Sequence, residues 1–104
     1  MKTQLKKGIL DMCVLCILAR RDSYAYEIVQ QLADSLDMSE GTIYPLMRRL
    51  QIENWVTNYL LESESGPPRK YYRLEQAGRD EFEKMRLEWR EFSAEVNTIV
   101  GEQP

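Results

Sequence analysis

The chain has 104 residues, a formal net charge of −3 and no histidine. Its length suits one compact domain with a modest core, and its 43% hydrophobic and 30% charged residues argue against disorder. The negative charge argues against a protein that coats DNA with a uniformly basic surface. Without histidine no Ser-His or Cys-His catalytic pair can form within the chain, and no Gly-rich phosphate loop is present. We therefore predict no catalytic residues, no cofactor and no enzymatic activity.

The first predicted helix covers about residues 3–20. Lysines followed by an apolar run resemble a signal peptide, but Asp11 interrupts the run and no small-residue cleavage site follows it. The apolar residues instead share one helical face, which contains Leu5, Ile9, Met12 and Cys16. No stretch approaches the ~20 apolar residues of a transmembrane helix. We expect a cytoplasmic protein with no membrane partner.

Cys13 and Cys16 form a C-x-x-C motif within this helix. The spacing occurs in redox pairs and in halves of zinc sites. Because the chain has no other cysteine and no histidine, a four-ligand site would need carboxylates or a second chain. We interpret the two residues as small core side chains in a reducing compartment and predict no metal site.

A short turn joins the next two predicted helices. Asp22 or Ser23 can cap the second helix. The third helix covers about residues 39–54, with Ser39 as its candidate N-cap and Asn54 as a residue that tolerates the left-handed conformation at its end. Helical periodicity predicts one buried stripe on each of these two helices. On the second helix the stripe consists of Ala25, Ile28, Val29, Leu32 and Leu36. On the third helix it consists of Ile43, Leu46, Met47 and Leu50. Two helices joined in this way are typical of a helix-turn-helix.

The opposite face of the third helix combines small, aromatic and cationic residues and is predicted to contact DNA. Pro45 cannot donate to the carbonyl of Gly41, so the first turn should be tight or slightly kinked. Backbone amides at that end, with two hydroxyl groups beside them, suit a DNA phosphate. The predicted contact residues on this helix are Ser39, Gly41, Thr42, Tyr44, Pro45 and Arg48.

A β-hairpin is predicted directly after this helix, with strands at about 55–62 and 69–74 joined by a proline-containing loop at 63–68. Alternation along the second strand separates Tyr72 and Leu74 from Arg69, Tyr71 and Arg73. The hairpin is either a solvated surface feature or the wing of a winged helix. Its position favours a wing at about 55–74, with Arg69 and Lys70 following the DNA backbone.

The last helix, about 75–104, carries the acidic charge and a heptad stripe. Residues 75–104 hold four basic and eight acidic side chains, whereas residues 39–74 hold five basic and four acidic. The stripe either completes the core or forms a homodimer interface, which we favour because so small a chain has little else to cover it. Its members are Phe82, Met85, Trp89, Phe92, Val96 and Ile99. The flanking Glu81, Glu88 and Glu95 would repel one another across two antiparallel copies. We therefore expect the partner's first helix to pack here, with Lys2, Lys6 and Lys7 near these carboxylates and Leu5, Ile9 and Met12 in the interface.

Four motifs carry a resemblance that extends over nearly the whole chain: Tyr24-Ala-Tyr-Glu27, Ser39-Glu-Gly-Thr-Ile-Tyr-Pro-Leu46, Arg49-Leu50, and Gly66-Pro-Pro-Arg-Lys-Tyr-Tyr-Arg-Leu74 running into Ala77-Gly78. With them the chain resembles the PadR-like family of bacterial transcriptional regulators, in the short subfamily that ends in a single C-terminal helix. The resemblance implies a homodimer that binds double-stranded DNA at pseudo-palindromic operators, usually as a repressor. Ala25 and Asn54 stand where the family often has glycine, and both lie off the predicted reading face.

The predicted fold is therefore mostly α with a small β-hairpin: a winged helix-turn-helix at 1–74 with N- and C-terminal dimerisation helices, in one compact domain. The resemblance further implies that Trp89 lies at the dimer centre, where it either stacks on a planar aromatic effector or fills the interface. Two other functions stay open. One is a protein-interaction dimer on a winged-helix scaffold, and the other is a small-molecule-binding protein with incidental DNA affinity. The sequence specifies neither operator nor effector, and does not distinguish repression from activation.

Overall fold

Four helices and a small antiparallel sheet make up the computed structural model, which describes residues 8–101. The elements are α1 (Ile9–Arg20), β1 (Ser23–Tyr24), α2 (Ala25–Leu36), α3 (Glu40–Ile52), β2 (Val56–Ser63), β3 (Gly66–Leu74) and α4 (Gln76–Val100). The mostly α fold with a hairpin is confirmed. Within the described residues, no helix is long and apolar enough to cross a membrane. The predictions for Leu5 and for the lysines at 2, 6 and 7 lie outside this range.

The core is built where the helical stripes meet the inner face of the sheet. All four predicted stripe residues of α3 are buried, and on α2 the middle of the stripe is buried while its ends are half-buried. Tyr72 and Leu74 of β3 are buried as their alternation predicts. The core residues are Leu10, Val14, Leu15, Leu18, Ile28, Val29, Leu32, Ile43, Leu46, Met47, Leu50, Val56, Tyr72, Leu74 and Phe82.

The start of α2 differs from the prediction that Asp22 or Ser23 caps it. Ser23 pairs with Tyr72 in the sheet, and Tyr24 is the N-cap residue. The Tyr24 amide donates to Oε1 of Glu27 at 3.0 Å, so a helix carboxylate satisfies the first free amide. Pairing with β3 moves the helix start by one or two residues, which a local capping signal does not reveal.

The turn between α2 and α3 is short, as predicted. Asp37 adopts the left-handed conformation (φ 56°) and its amide donates to the Ala33 carbonyl at 3.1 Å. Ser39 is the N-cap of α3, and Asn54, just past its end, has a φ of 63°. Both ends of the third helix therefore lie where the sequence predicts them.

The sheet has three strands in the order β1-β3-β2, of which the sequence predicted two. The hairpin turn is tighter than the predicted loop at 63–68, because Ser63 pairs with Gly66 and the prolines belong to β3. The register shifts between Leu61 and Ser63, so that Pro67 and Pro68 together lie opposite one residue. Such a bulge accommodates residues that cannot donate to the ladder.

The first turns of α4 pack on the domain and the rest of the helix extends past it. Phe82 is buried and Met85 is half-buried against the core, whereas the later stripe residues are exposed. The helix also lies against α1 of the same chain. The predicted dimer stripe is thus divided: its first two residues belong to the intramolecular core, and four stay uncovered.

Candidate nucleic-acid interface

The two faces of α3 differ sharply in burial. The core stripe is buried, and every residue predicted to contact DNA from this helix is exposed on the other side. Gly41 leaves open space there, since a Cβ atom built on it would meet only Oγ of Ser39, at 3.8 Å. The backbone of α3 is therefore accessible to a large molecule beside this face.

The N-terminus of α3 has the geometry predicted from Pro45. The Thr42 amide donates to the Ser39 carbonyl at 3.1 Å, an i to i−3 bond that tightens the first turn. Oγ of Ser39 lies 3.2 Å from Oγ1 of Thr42. The first amides of a helix have no acceptor within the helix, so two hydroxyl groups and free backbone donors meet at this exposed end.

Two neighbouring arginines of α3 have different surroundings. Nη2 of Arg49 donates to Oδ1 of Asp11 on α1 at 2.5 Å, and this hydrogen bond raises the pKa of Arg49 above its ordinary value. Arg48 is exposed and has no hydrogen bond or ion pair with another described residue. Both arginines are exposed, but Arg49 joins α3 to α1, whereas Arg48 has no partner among the described residues.

The hairpin presents Arg69 and Lys70 on opposite faces, because successive residues of a strand alternate. Lys70 pairs with Leu60, and Arg69 pairs with Leu61. Both cations are exposed, and neither forms an ion pair with another described residue. Cζ of Arg69 lies 4.9 Å from the centre of the Tyr24 ring.

A row of aromatic rings crosses the outer face of the sheet. The Tyr71 ring centre is 5.8 Å from that of Tyr24 on β1 and 5.8 Å from that of Tyr59 on β2. At the Tyr59 end, Cζ of Arg73 lies 4.9 Å from the ring centre. We call these rings, with Arg69 and Arg73 at their ends, the outer aromatic row.

Asp22 binds Tyr59 and Arg73 at one end of the outer aromatic row. Its Oδ2 accepts hydrogen bonds from the Tyr59 hydroxyl at 2.8 Å and from Nε of Arg73 at 3.3 Å. The bond to Asp22 raises the pKa of the Tyr59 hydroxyl and that of the Arg73 guanidinium. Sequence reasoning missed Asp22, Tyr24 and Tyr59; only the alternation that placed Tyr71 with Arg69 and Arg73 pointed to this face.

A second exposed surface lies on α4. Ile9 and Met12 of α1 line an open groove together with Met85, Trp89 and Phe92 of α4. Beyond the groove, Val96 and Ile99 are exposed along the same stripe. The groove is formed within one chain, and a covering partner helix stays a prediction.

The two cysteines pack partly buried against the core, as we interpreted them. Both are free thiols in a shallow groove between α1 and α2. Burial raises the pKa of the Cys13 thiol, and the neighbouring Cys16 raises it further. A raised pKa lowers the thiolate fraction and with it the reactivity.

The chain is similar to several known proteins in sequence and in fold. The model of the transcriptional regulator PadR-like family matches residues 14–84. A PadR-like transcriptional regulator from Bacillus cereus is 34% identical, with a TM-score of 0.86 over 96% of this chain and 99% of that one. A PadR family regulator from Clostridium difficile is 33% identical, with a TM-score of 0.82 over 90% and 100%. An uncharacterised protein of Lysinibacillus sphaericus is 29% identical over 95% of this chain and 91% of its own length. The chain therefore belongs to the transcriptional regulator PadR-like family, whose members are DNA-binding regulators.

Proposed function

We propose that the protein is a homodimeric repressor that binds a pseudo-palindromic operator through α3 and the hairpin. The observation that carries the proposal is the exposed face of α3 and its open backbone, which lie beside a hairpin with two cations. Among residues 8–101, neither these cations nor Arg48 of α3 has an ion-pair partner. Family membership supports a DNA-binding regulator. A helix of this kind fits the major groove, where side chains distinguish all four base pairs.

On α3, we assign base contacts to Tyr44 and Arg48. Ser39 and Thr42 would bind a phosphate, because their hydroxyls lie next to the free amides of the first turn. Gly41 and Pro45 would let the helix lie close to the DNA, since neither adds a long side chain.

The hairpin would act as a wing beside the recognition helix. Arg69 and Lys70 emerge from opposite faces and are exposed. Such cations bind phosphates on either side of a strand that lies along the DNA backbone, which adds affinity without base preference.

The uncovered part of the α4 stripe supports a homodimer. Trp89, Phe92, Val96 and Ile99 are exposed at heptad spacing on a helix that extends past the domain. A second copy of the chain would bury these side chains. A dimer would bind two half-sites on the operator, whose centres lie about one helical turn, ~10 bp, or a multiple of it apart.

An anisotropy titration tests this function. Labelled DNA from immediately upstream of the protein's own gene is titrated at near-physiological salt, with shuffled DNA as the control. Selectivity of at least ~10³-fold supports a sequence-specific regulator. If both DNAs bind weakly, a genome-wide selection of bound fragments follows. Failure to enrich any sequence would overturn the proposal in favour of a protein-interaction or small-molecule-binding dimer.

We further propose that planar aromatic compounds release the protein from its operator. Trp89 offers an exposed ring in the groove beside Met12 and Phe92, and a compound stacked there would alter the spacing of two α4 helices and so of two recognition helices. In a Trp55→Phe background, release of DNA together with quenching of Trp89 emission supports this role. If no tested compound quenches or releases, Trp89 only packs the interface.

Arg48→Ala is expected to weaken operator binding by about 1–3 kcal/mol and to relax base preference, as for the loss of a good base contact. The measurement is the ratio of affinities for the operator and for single-base variants of it. Because Arg48 has no partner among the described residues, the melting temperature should not change. Equal weakening on operator and shuffled DNA would make Arg48 a phosphate contact only.

Arg69→Ala and Lys70→Ala should each weaken binding to all sequences alike. Each loss of a phosphate contact lowers the slope of log affinity against log salt by about one unit. Arg73→Ala is the matched control, because Arg73 is already paired with Asp22. If either wing variant keeps the parent slope, or if Arg73→Ala changes it as much, the assignment of the wing cations is wrong.

A further inference from the structure

We propose that Tyr24 is a positioning residue for DNA binding, acting through Arg69. Its ring holds the guanidinium of Arg69 in place on the wing, where this cation meets a DNA phosphate. The inference rests on the proposed function and names a residue outside the recognition helix and the hairpin.

Tyr24 is itself fixed from several directions. Its backbone pairs with Tyr71 of β3, and its amide donates to Oε1 of Glu27 at the start of α2. Its ring lies 5.8 Å from the ring of Tyr71 and 6.2 Å from that of Tyr26, measured between centres. The ring is thus held by both the sheet and the helix-turn-helix, and the contact to Arg69 connects the wing to α2.

Arg73 makes a similar contact with a tyrosine ring but also binds a carboxylate. It lies on the same face of β3 as Arg69, with its Cζ also 4.9 Å from a tyrosine ring, but Asp22 accepts its Nε. Arg69 has the ring and no carboxylate among the described residues. The charge and the donors of Arg69 are therefore available to an external anion, while those of Arg73 are used within the protein.

A ring contact suits a residue that must later bind phosphate. An arginine side chain loses rotamer entropy when it is ordered. A ring face restrains the guanidinium without occupying its N–H donors, so part of the ordering takes place before DNA binds. The surroundings are also suited to an anion. A concave surface at the tip of the wing is lined by Tyr24, Ser63, Ser65, Arg69 and Lys70, besides Gly66, Pro67 and Pro68.

The test is a double-mutant cycle on operator and shuffled DNA. Tyr24→Leu should weaken binding to both by about two- to fivefold, the value of an exposed cation–π contact, whereas Tyr24→Phe keeps the ring and should bind like the parent. In an Arg69→Ala background, Tyr24→Leu should have no further effect. If Tyr24→Phe binds as weakly as Tyr24→Leu, the hydroxyl contacts DNA directly and the positioning role is wrong. Additive effects of Tyr24→Leu and Arg69→Ala would also overturn it.

Tyr24→Leu disturbs a strand and a helix cap, so a measurement that does not need this variant to fold accompanies the cycle. In the NMR spectrum of the parent, the side-chain protons of Arg69 should be shifted upfield by the ring, and Tyr24→Phe should preserve the shift. Random-coil shifts for Arg69 in the parent would overturn the inference. Failure of the proposed function is a separate result, since the parent titration alone reveals it before any variant is made.

Discussion

Phe92→Glu is expected to convert the proposed dimer into a monomer or an unfolded chain. Phe92 is 60% exposed in the isolated chain, so its contribution to the intramolecular core is small, yet it lies in the centre of the uncovered stripe. A carboxylate there would be buried without a partner once two copies associate, which strongly opposes association. Light scattering coupled to size exclusion measures the mass, which for the monomer is 12.3 kDa.

The same variant should lose operator binding, because a monomer engages one half-site and forgoes the gain from a second linked contact. That gain is about 10²-fold or more in affinity. Leu87→Glu is the matched control: Leu87 is 51% exposed on the same helix but lies away from the stripe. It should stay dimeric and bind the operator. A stable Phe92→Glu dimer would show that the interface lies elsewhere.

Features encoded by local periodicity were predictable from the sequence. The stripe of Ile43, Leu46, Met47 and Leu50 is buried as expected, because a helix repeats its faces every 3.6 residues whatever packs against it. The ends of α3 followed from residue chemistry at Ser39 and Asn54. The exposed face of α3 then follows from the buried one.

Features that depend on strand register were not predictable. The bond between Tyr59 and Asp22 joins residues 37 positions apart, and the Arg69–Tyr24 contact requires a two-residue strand that has no periodicity of its own. The bulge at the prolines likewise depends on how β2 and β3 align. The division of the α4 stripe was missed for a related reason, since a heptad pattern does not reveal which of its residues the chain's own core covers.

Ion pairs divide the cations near the proposed DNA-binding surface into two groups. Asp11 neutralises Arg49 and Asp22 neutralises Arg73, and both pairs lie within the domain. Arg48, Arg69 and Lys70 have no carboxylate partner among the described residues. The net charge of −3 does not exclude DNA binding, because screening makes the field near the wing and α3 depend on the charges close by, which are these cations and the exposed carboxylates of Glu40, Glu62 and Glu64.

Gly78→Ala is expected to destabilise the fold strongly. Gly78 lies in the first turn of α4, and a Cβ atom there would come within 2.2 Å of the Trp55 carbonyl oxygen and 2.7 Å of Cδ1 of Leu74. The carbonyl cannot withdraw freely, since it accepts the Glu75 amide at 2.9 Å. Overpacking typically costs about 1–3 kcal/mol, and a clash with backbone belongs at the upper end.

Thermal unfolding at fixed protein concentration measures this loss, which corresponds to a fall in Tm of roughly 10–20 °C. Gly41→Ala is the matched control, because alanine favours a helix by about 0.5–1 kcal/mol over glycine and the space at Gly41 is open. Its Tm should be unchanged or higher, while its operator affinity falls if α3 lies against DNA. The two glycines thus separate the roles of the residue: at Gly78 the missing side chain permits the fold, and at Gly41 it keeps a surface open. A Gly41→Ala variant with full operator affinity would remove Gly41 from the proposed interface.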